Sequence, residues 1–165
     1  MMITLTGFMG SGKTTVGKVL ADFLGCPFMD LDDLIVKKAG KSIPDIFAQD
    51  GEPAFRELEA KLLRQTVEKY AESTAVLALG GGAILAPASA ALLREKTVCI
   101  YLRATLDTLL ARLAGETAGR PLADDALASR LAARAPLYEE TAHVTIDTDG
   151  LSPDEVADEI IFSAL

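Results

Sequence analysis

Between residues 7 and 14 the chain reads Gly7-Phe8-Met9-Gly10-Ser11-Gly12-Lys13-Thr14, the spacing G-x-x-x-x-G-K-[ST]. Each residue type there has a chemical task. The glycines let the backbone curl until successive N–H groups of Gly10, Ser11 and Gly12 point inward, and at a helix N-terminus those groups form a nest for phosphate oxygens. Lys13 is placed to reach the β- and γ-phosphates, and the Thr14 hydroxyl to bind Mg²⁺. Such a match arises by chance in roughly one in a few hundred chains of this length. The expected ligand is a nucleoside triphosphate.

Further along, Asp30-Leu31-Asp32-Asp33 joins a short apolar run to a helical pattern. At a strand end Asp30 can face the Mg²⁺ through a water, because that ion gives up its hydration reluctantly. Asp32 can orient an attacking alcohol or take its proton; capping of the following helix is the competing reading of the pair. Gly80-Gly81-Gly82 suits a turn, or the close approach of backbone N–H groups to a small polar ligand. Gly51-Glu52-x-x-Phe55-Arg56 opens a helix, and Glu59 stands at i+3 to orient Arg56. Arg120 lies in a polar, Gly-containing stretch that runs from Gly115 to Asp125.

These groups must be held by a scaffold, and the pattern supplies one. Short apolar strands are expected at 3–6, 27–30, 75–79, 98–102 and 144–146. Helices are expected at 13–24, 31–39, 43–49 (Ser42 as its cap), 52–72, 87–94, 105–113, 126–139 and 153–162, with a non-helical polar stretch at 115–125. Strands separated by helices, with no hairpin turns, imply a mostly parallel sheet covered on both faces. In such sheets ligands sit beyond the carboxyl ends of the strands. The phosphate loop, the acidic pair, the triple glycine and the Arg120 stretch all fall on that edge, so one site can gather them.

Composition excludes other classes. The 165 residues fit one domain, half are apolar, and no run of eighteen could span a membrane. A net charge of −8 argues against a nucleic-acid surface. No charged region precedes the first apolar stretch, so a cytoplasmic protein is expected. Cys26 and Cys99 follow no metal spacing, His143 reads as structural, and Tyr138 reads as core, with packing near the substrate pocket as the alternative.

The ordered set of pieces resembles the shikimate kinase family along almost the whole chain. The matching pieces are Gly7 to Gly17, Met29 to Asp32 (M-D-L-D), Ser42 to Phe47 (S-I-P-D-I-F), Gly51 to Glu59 (G-E-P-A-F-R-E-L-E), Leu79 to Ala83 (L-G-G-G-A), Arg120 to Leu122 (R-P-L) and Arg134 to Tyr138 (R-A-P-L-Y). The resemblance implies an α/β fold of the P-loop NTPase type, three-layered and NMP-kinase-like. It would have a five-stranded parallel sheet, a substrate-binding segment at 31–60 and a mobile lid at 115–125. It implies ATP-dependent phosphorylation of the 3-hydroxyl of shikimate in aromatic amino-acid biosynthesis, by a monomer. Lys13, Thr14 and Thr15 would hold the phosphates and Mg²⁺, with Asp30 near the metal. Asp32 would meet the substrate hydroxyls and is the candidate base. Arg56 and Arg134 would clamp the carboxylate, and Gly80, Gly81 and Gly82 would give backbone contacts. Arg120 would close over the transferring phosphoryl, and Arg112 would stack on adenine, opposite the 147–153 loop. A gluconate kinase, an NMP kinase and a catalytically silent ATP-binding homologue are the alternatives. The acidic Asp124-Asp125 after R-P-L departs from the family's usual apolar residue.

Overall fold

Alternation along the strands decides the architecture. In β1 (Met2–Thr6), Met2 points to one cluster of buried side chains, Ile3 and Leu5 to another. In β3 (Ala75–Ala78) and β4 (Val98–Arg103), Leu77, Cys99 and Tyr101 follow Met2, whereas Val76, Ile100 and Leu102 follow Ile3. A sheet buried on both faces needs a helical layer on each. The computed structural model, which describes residues 1–116 and 124–165, has those layers.

Five parallel strands stand in the order β2-β3-β1-β4-β5, with β2 at Phe28–Asp30 and β5 at Val144–Asp147. One face is covered by α1 (Lys13–Leu24) and α8 (Pro153–Ala164), which bring Val16, Leu20, Val156 and Ile160 onto Ile3, Leu5 and Ile100. The other face is covered by α2 (Leu31–Ala39), α3 (Ile43–Asp50), α4 (Glu52–Lys69), α5 (Pro87–Lys96), α6 (Leu106–Glu116) and α7 (Asp124–Thr141), which supply Leu31, Ile46, Leu63, Leu93, Leu109 and Tyr138 to that core. Between β3 and α5 the chain makes one 3-10 turn, Ala83–Leu85. The expected fold class is therefore the one observed.

The ends of several elements differ from expectation. α4 stops at Lys69, not 72, where Tyr70 leaves the helical region and N–H groups of Ala71 and Ser73 fold back on Glu68 and Tyr70. α6 continues through Gly115 to Glu116, and α7 already begins at Asp124, so the ends of the 115–125 stretch are helical. A helix interior tolerates a glycine at a cost of only about 1 kcal/mol. Arg120, with the rest of 117–123, lies outside the described residues. Among the described residues no helix is long and apolar enough to cross a membrane.

Candidate active site

The first strand delivers the chain into the phosphate loop, and the first helix leaves it. Gly12 caps α1 with φ of 92°, a left-handed conformation that disfavours any side chain. Lys13 lies folded over this loop, its Nζ donating to the carbonyls of Gly7 at 2.7 Å and Phe8 at 3.0 Å. The loop residues Gly10, Gly12, Lys13, Thr14 and Thr15 line a polar cavity of about 180 Å³. Ser11 is buried behind them.

Asp30 ends β2 beside that loop and serves two neighbours with its two oxygens. One accepts the backbone N–H groups of Asp32 at 2.9 Å and Asp33 at 3.4 Å, capping α2. The other accepts the Thr14 hydroxyl at 2.8 Å. Capping and metal binding are therefore compatible, because capping occupies one oxygen only. A hydroxyl touching a carboxylate is a donor set that suits Mg²⁺, which takes few protein ligands and keeps its waters. Among the described residues no cluster of three acidic, histidine or cysteine side chains offers a denser cage.

Asp32 faces a second cavity, of about 270 Å³, on the far side of the phosphate loop. Its polar wall is Asp32, Arg56, Glu59, Gly80, Gly81, Gly82, Arg130 and Arg134; its apolar wall is Met9, Ile43, Phe47 and Phe55. The triple glycine has a steric cause. A Cβ on Gly82 would lie 2.4 Å from Arg56 Nη1, and one on Gly80 2.9 Å from Asp32 Oδ1 and 3.2 Å from Glu59 Oε2. One carboxyl pair and one guanidinium thus pack directly on backbone. Glu59, 4% exposed, accepts from Arg56 Nη1 at 2.9 Å and fixes the guanidinium, the orienting pair expected from the i,i+3 spacing.

Arg112 belongs to a third cavity, of about 200 Å³, with Gly10, Gly12, Thr15, Val16, Thr148, Leu151, Pro153 and Val156. Its Nη1 donates to the Gly10 carbonyl and the Thr148 hydroxyl, both at 3.3 Å, tying the phosphate loop to the β5–α8 loop. His143 lies elsewhere, between β4 and β5. Its Nδ1 accepts the Cys99 N–H at 3.0 Å, so Nε2 carries the proton and donates to the Arg94 carbonyl at 2.9 Å.

The cavity of Asp32, Arg56 and Arg134 keeps two carboxyls more basic than usual. Burial raises Asp32, with the Asp30 charge adding to it and Lys13 opposing. Burial also raises Glu59, against the pull of Arg56. The native state then keeps protons that the unfolded chain has released, so stability falls as pH rises from about 4, the unfolded value, through the raised values. Asp147 and Asp149, held low by hydrogen bonds from Arg103 and Thr108 respectively, act in the opposite sense only below that window. Calorimetry of the ligand-free protein is expected to show Tm declining as pH rises above the ordinary carboxyl range, with a shallower slope in Glu59→Gln. Equal slopes in the two proteins would contradict the assignment.

Of the residues expected from sequence, Asp32, Arg56, Gly80, Gly81, Gly82 and Arg134 share the second cavity, and the loop residues with Arg112 share the other two. Arg130 carried no motif, while the apolar-wall residues lie inside the quoted pieces and Thr148 inside the 147–153 loop without having been given a site role. For Arg130 the available signal was its i,i+4 spacing from Arg134 on one helix. Tyr138, expected as core, is core by its ring, yet its hydroxyl donates to the Gly81 carbonyl at 2.6 Å.

Comparison with known proteins agrees with this geometry. A family profile described as shikimate kinase matches residues 9–164. The shikimate kinase of Enterococcus faecalis is 43% identical over 164 residues, covering 96% of this chain and 95% of that protein. The solved shikimate kinase of Acinetobacter baumannii in complex with shikimate superposes with a TM-score of 0.88 at 37% identity, over 97% of this chain and 90% of that one. A gluconokinase of Sinorhizobium meliloti gives 0.58 at 19% identity over 96% of this chain and 87% of that one, a likeness of fold alone.

Proposed function

The chain belongs to the shikimate kinase family, and on that premise we propose how its residues divide the phosphorylation of shikimate by ATP. The observation that supports the reading most strongly is the meeting of two half-sites across two residue steps. Asp30 touches the Thr14 hydroxyl of the phosphate loop, while Asp32, two residues on, faces the cavity of Arg56 and Arg134.

In this reading the acceptor is the 3-hydroxyl. Shikimate is a small carboxylate with several hydroxyls, so its site needs cations at one end and acceptors at the other. Arg56 and Arg134 take the carboxylate, their forks matching its two oxygens. The N–H groups of Gly80, Gly81 and Gly82 approach the ring from beneath, and Asp32 holds the 3-hydroxyl toward the phosphate loop. Thr14 and Asp30 hold Mg²⁺, which when bound spreads the charge of the phosphate oxygens. Lys13 leaves the Gly7 and Phe8 carbonyls for the γ-phosphate, Thr15 and the Gly10 to Gly12 backbone hold the remaining phosphate oxygens, and Arg112 faces adenine. As the 3-oxygen bonds to phosphorus and the bond to the ADP oxygen breaks, Asp32 takes the hydroxyl proton. The transition state is loose, so positioning contributes more than proton abstraction. The task the resemblance gives Arg120, which lies outside the described residues, is to neutralise the transferring phosphoryl and exclude water. The enzyme works as a cytoplasmic monomer.

The test is ADP release from Mg²⁺-ATP with shikimate, gluconate or AMP as acceptor, with the product examined by phosphorus–proton coupling. Turnover strictly dependent on shikimate, with phosphorus coupled to the proton on carbon 3, is expected. Turnover with gluconate or AMP instead would discard the acceptor assignment, and ATP binding without any turnover would favour a regulatory homologue.

A further inference from the structure

Every carbonyl of the glycine turn is occupied, but not by equivalent partners. The Gly80 carbonyl accepts the Ala83 N–H at 3.1 Å, and the Gly82 carbonyl the Leu85 N–H at 3.1 Å, both within the turn itself. The middle carbonyl, of Gly81, depends on a side chain from α7, the Tyr138 hydroxyl at 2.6 Å. Among the described residues no acceptor takes the N–H groups of Gly80, Gly81 or Gly82, which line the acceptor cavity. Gly80 and Gly82 are buried and Gly81 half-buried, and a buried backbone N–H ordinarily finds a partner.

The Gly81 carbonyl and the Gly82 N–H belong to one planar peptide and point in opposite directions. Glycines on both sides leave that plane almost free to rotate, so whatever holds the oxygen also aims the N–H. The Tyr138 ring cannot swing away. It is 0% exposed, packs on Tyr101 with centroids 5.0 Å apart, and is followed by Glu139, which accepts from Arg103 at 3.3 Å. Burial lifts the phenol to about 12, so it remains a neutral donor through the physiological range. The same spot meets Arg134: a Cβ on Gly81 would lie 3.5 Å from Arg134 Nη1 and 3.6 Å from the Tyr138 hydroxyl.

We propose that Tyr138 is a positioning residue for the acceptor: by holding the Gly81 carbonyl it aims the Gly82 N–H into the cavity and keeps the glycine turn in register with Arg134, without itself touching substrate. This rests on the assignment of that cavity to shikimate. A tyrosine needed only for packing would serve equally as phenylalanine, which is the basis of the test.

The experiment is steady-state kinetics of Tyr138→Phe with both substrates varied, beside ¹⁵N–¹H spectra of wild type and variant. KM for shikimate is expected to rise roughly tenfold, the scale of one buried hydrogen bond. KM for ATP should stay within about twofold, Tyr101→Phe should leave both constants unchanged, and the Gly81 and Gly82 amide peaks should broaden selectively in Tyr138→Phe. An unchanged KM for shikimate would overturn the proposal, as would an equal loss for both substrates, the mark of a loosened core. Failure of the function itself looks different, since the wild type would then show no shikimate-dependent turnover to compare.

Discussion

Lys13→Met is expected to lower kcat about 10³-fold or more while the protein still folds. Methionine preserves the length and apolar stem of the side chain and deletes only the charge. The structure indicates what the fold loses: donors to the Gly7 and Phe8 carbonyls at 2.7 and 3.0 Å, about 1 kcal/mol each. Stability should therefore fall slightly, and turnover steeply, because no other group of the loop carries a positive charge to the γ-phosphate. Burial also lowers Lys13 to about 8 in the ligand-free protein. Nucleotide phosphates favour its charged form, so ADP binding at pH 8 should take up a fraction of a proton in wild type and none in Lys13→Met. Calorimetry in two buffers of different ionisation enthalpy measures that uptake. A variant turning over within tenfold of wild type would overturn the role given to Lys13.

Arg56→Ala should raise KM for shikimate by about a hundredfold, with KM for ATP nearly unchanged. Two losses coincide. The carboxylate loses one of its two arginines, and Glu59, 4% exposed, loses the donor at 2.9 Å that compensates its burial. Removing one partner of a buried pair is worse than never having had the pair. Arg56→Lys should not rescue the defect, since an ammonium cannot present the planar fork. Gly82→Ala offers an independent route to the same end, because its Cβ would lie 2.4 Å from Nη1 and must displace the guanidinium. Weakened ATP affinity with normal shikimate affinity in these variants would refute the division of the site.

The order of elements was legible because each strand is a short apolar run and several helices begin at a capping residue or a proline, as at Asp30, Ser42, Pro53, Pro87 and Ser152, signals contained in a few neighbouring residues. Asp30, Asp32 and the phosphate loop were legible for a related reason: their chemistry is encoded by spacing within one segment. Glu59 came from a local i,i+3 pair. The apolar wall was not legible, since Met9, Ile43, Phe47 and Phe55 meet only after three segments have folded together. The same holds for the link from Tyr138 to Gly81, between residues 57 apart in sequence. In the sequence a buried tyrosine looks like any core aromatic; its polar end has meaning only beside the carbonyl it finds. The helical ends of the 115–125 stretch were missed because glycine and acidic residues argue locally for a loop, while the helices on either side extend past them.

The two walls of the acceptor cavity differ in how freely they can change over evolutionary time. On the polar wall Gly82 abuts Arg56, Arg56 binds Glu59, and Glu59 shares the space above Gly80 with Asp32. A single replacement there disturbs all its neighbours, so the wall can drift only through several simultaneous changes. The opposite wall is aliphatic and aromatic, and Met9 and Phe47 are 39% and 37% exposed. Apolar side chains at a half-open surface exchange size at little cost to their surroundings. Descendants of this enzyme that accept a bulkier cyclic acid, and laboratory libraries aimed at one, should therefore carry their substitutions at Met9, Ile43 and Phe47 while leaving the arginine and glycine side untouched.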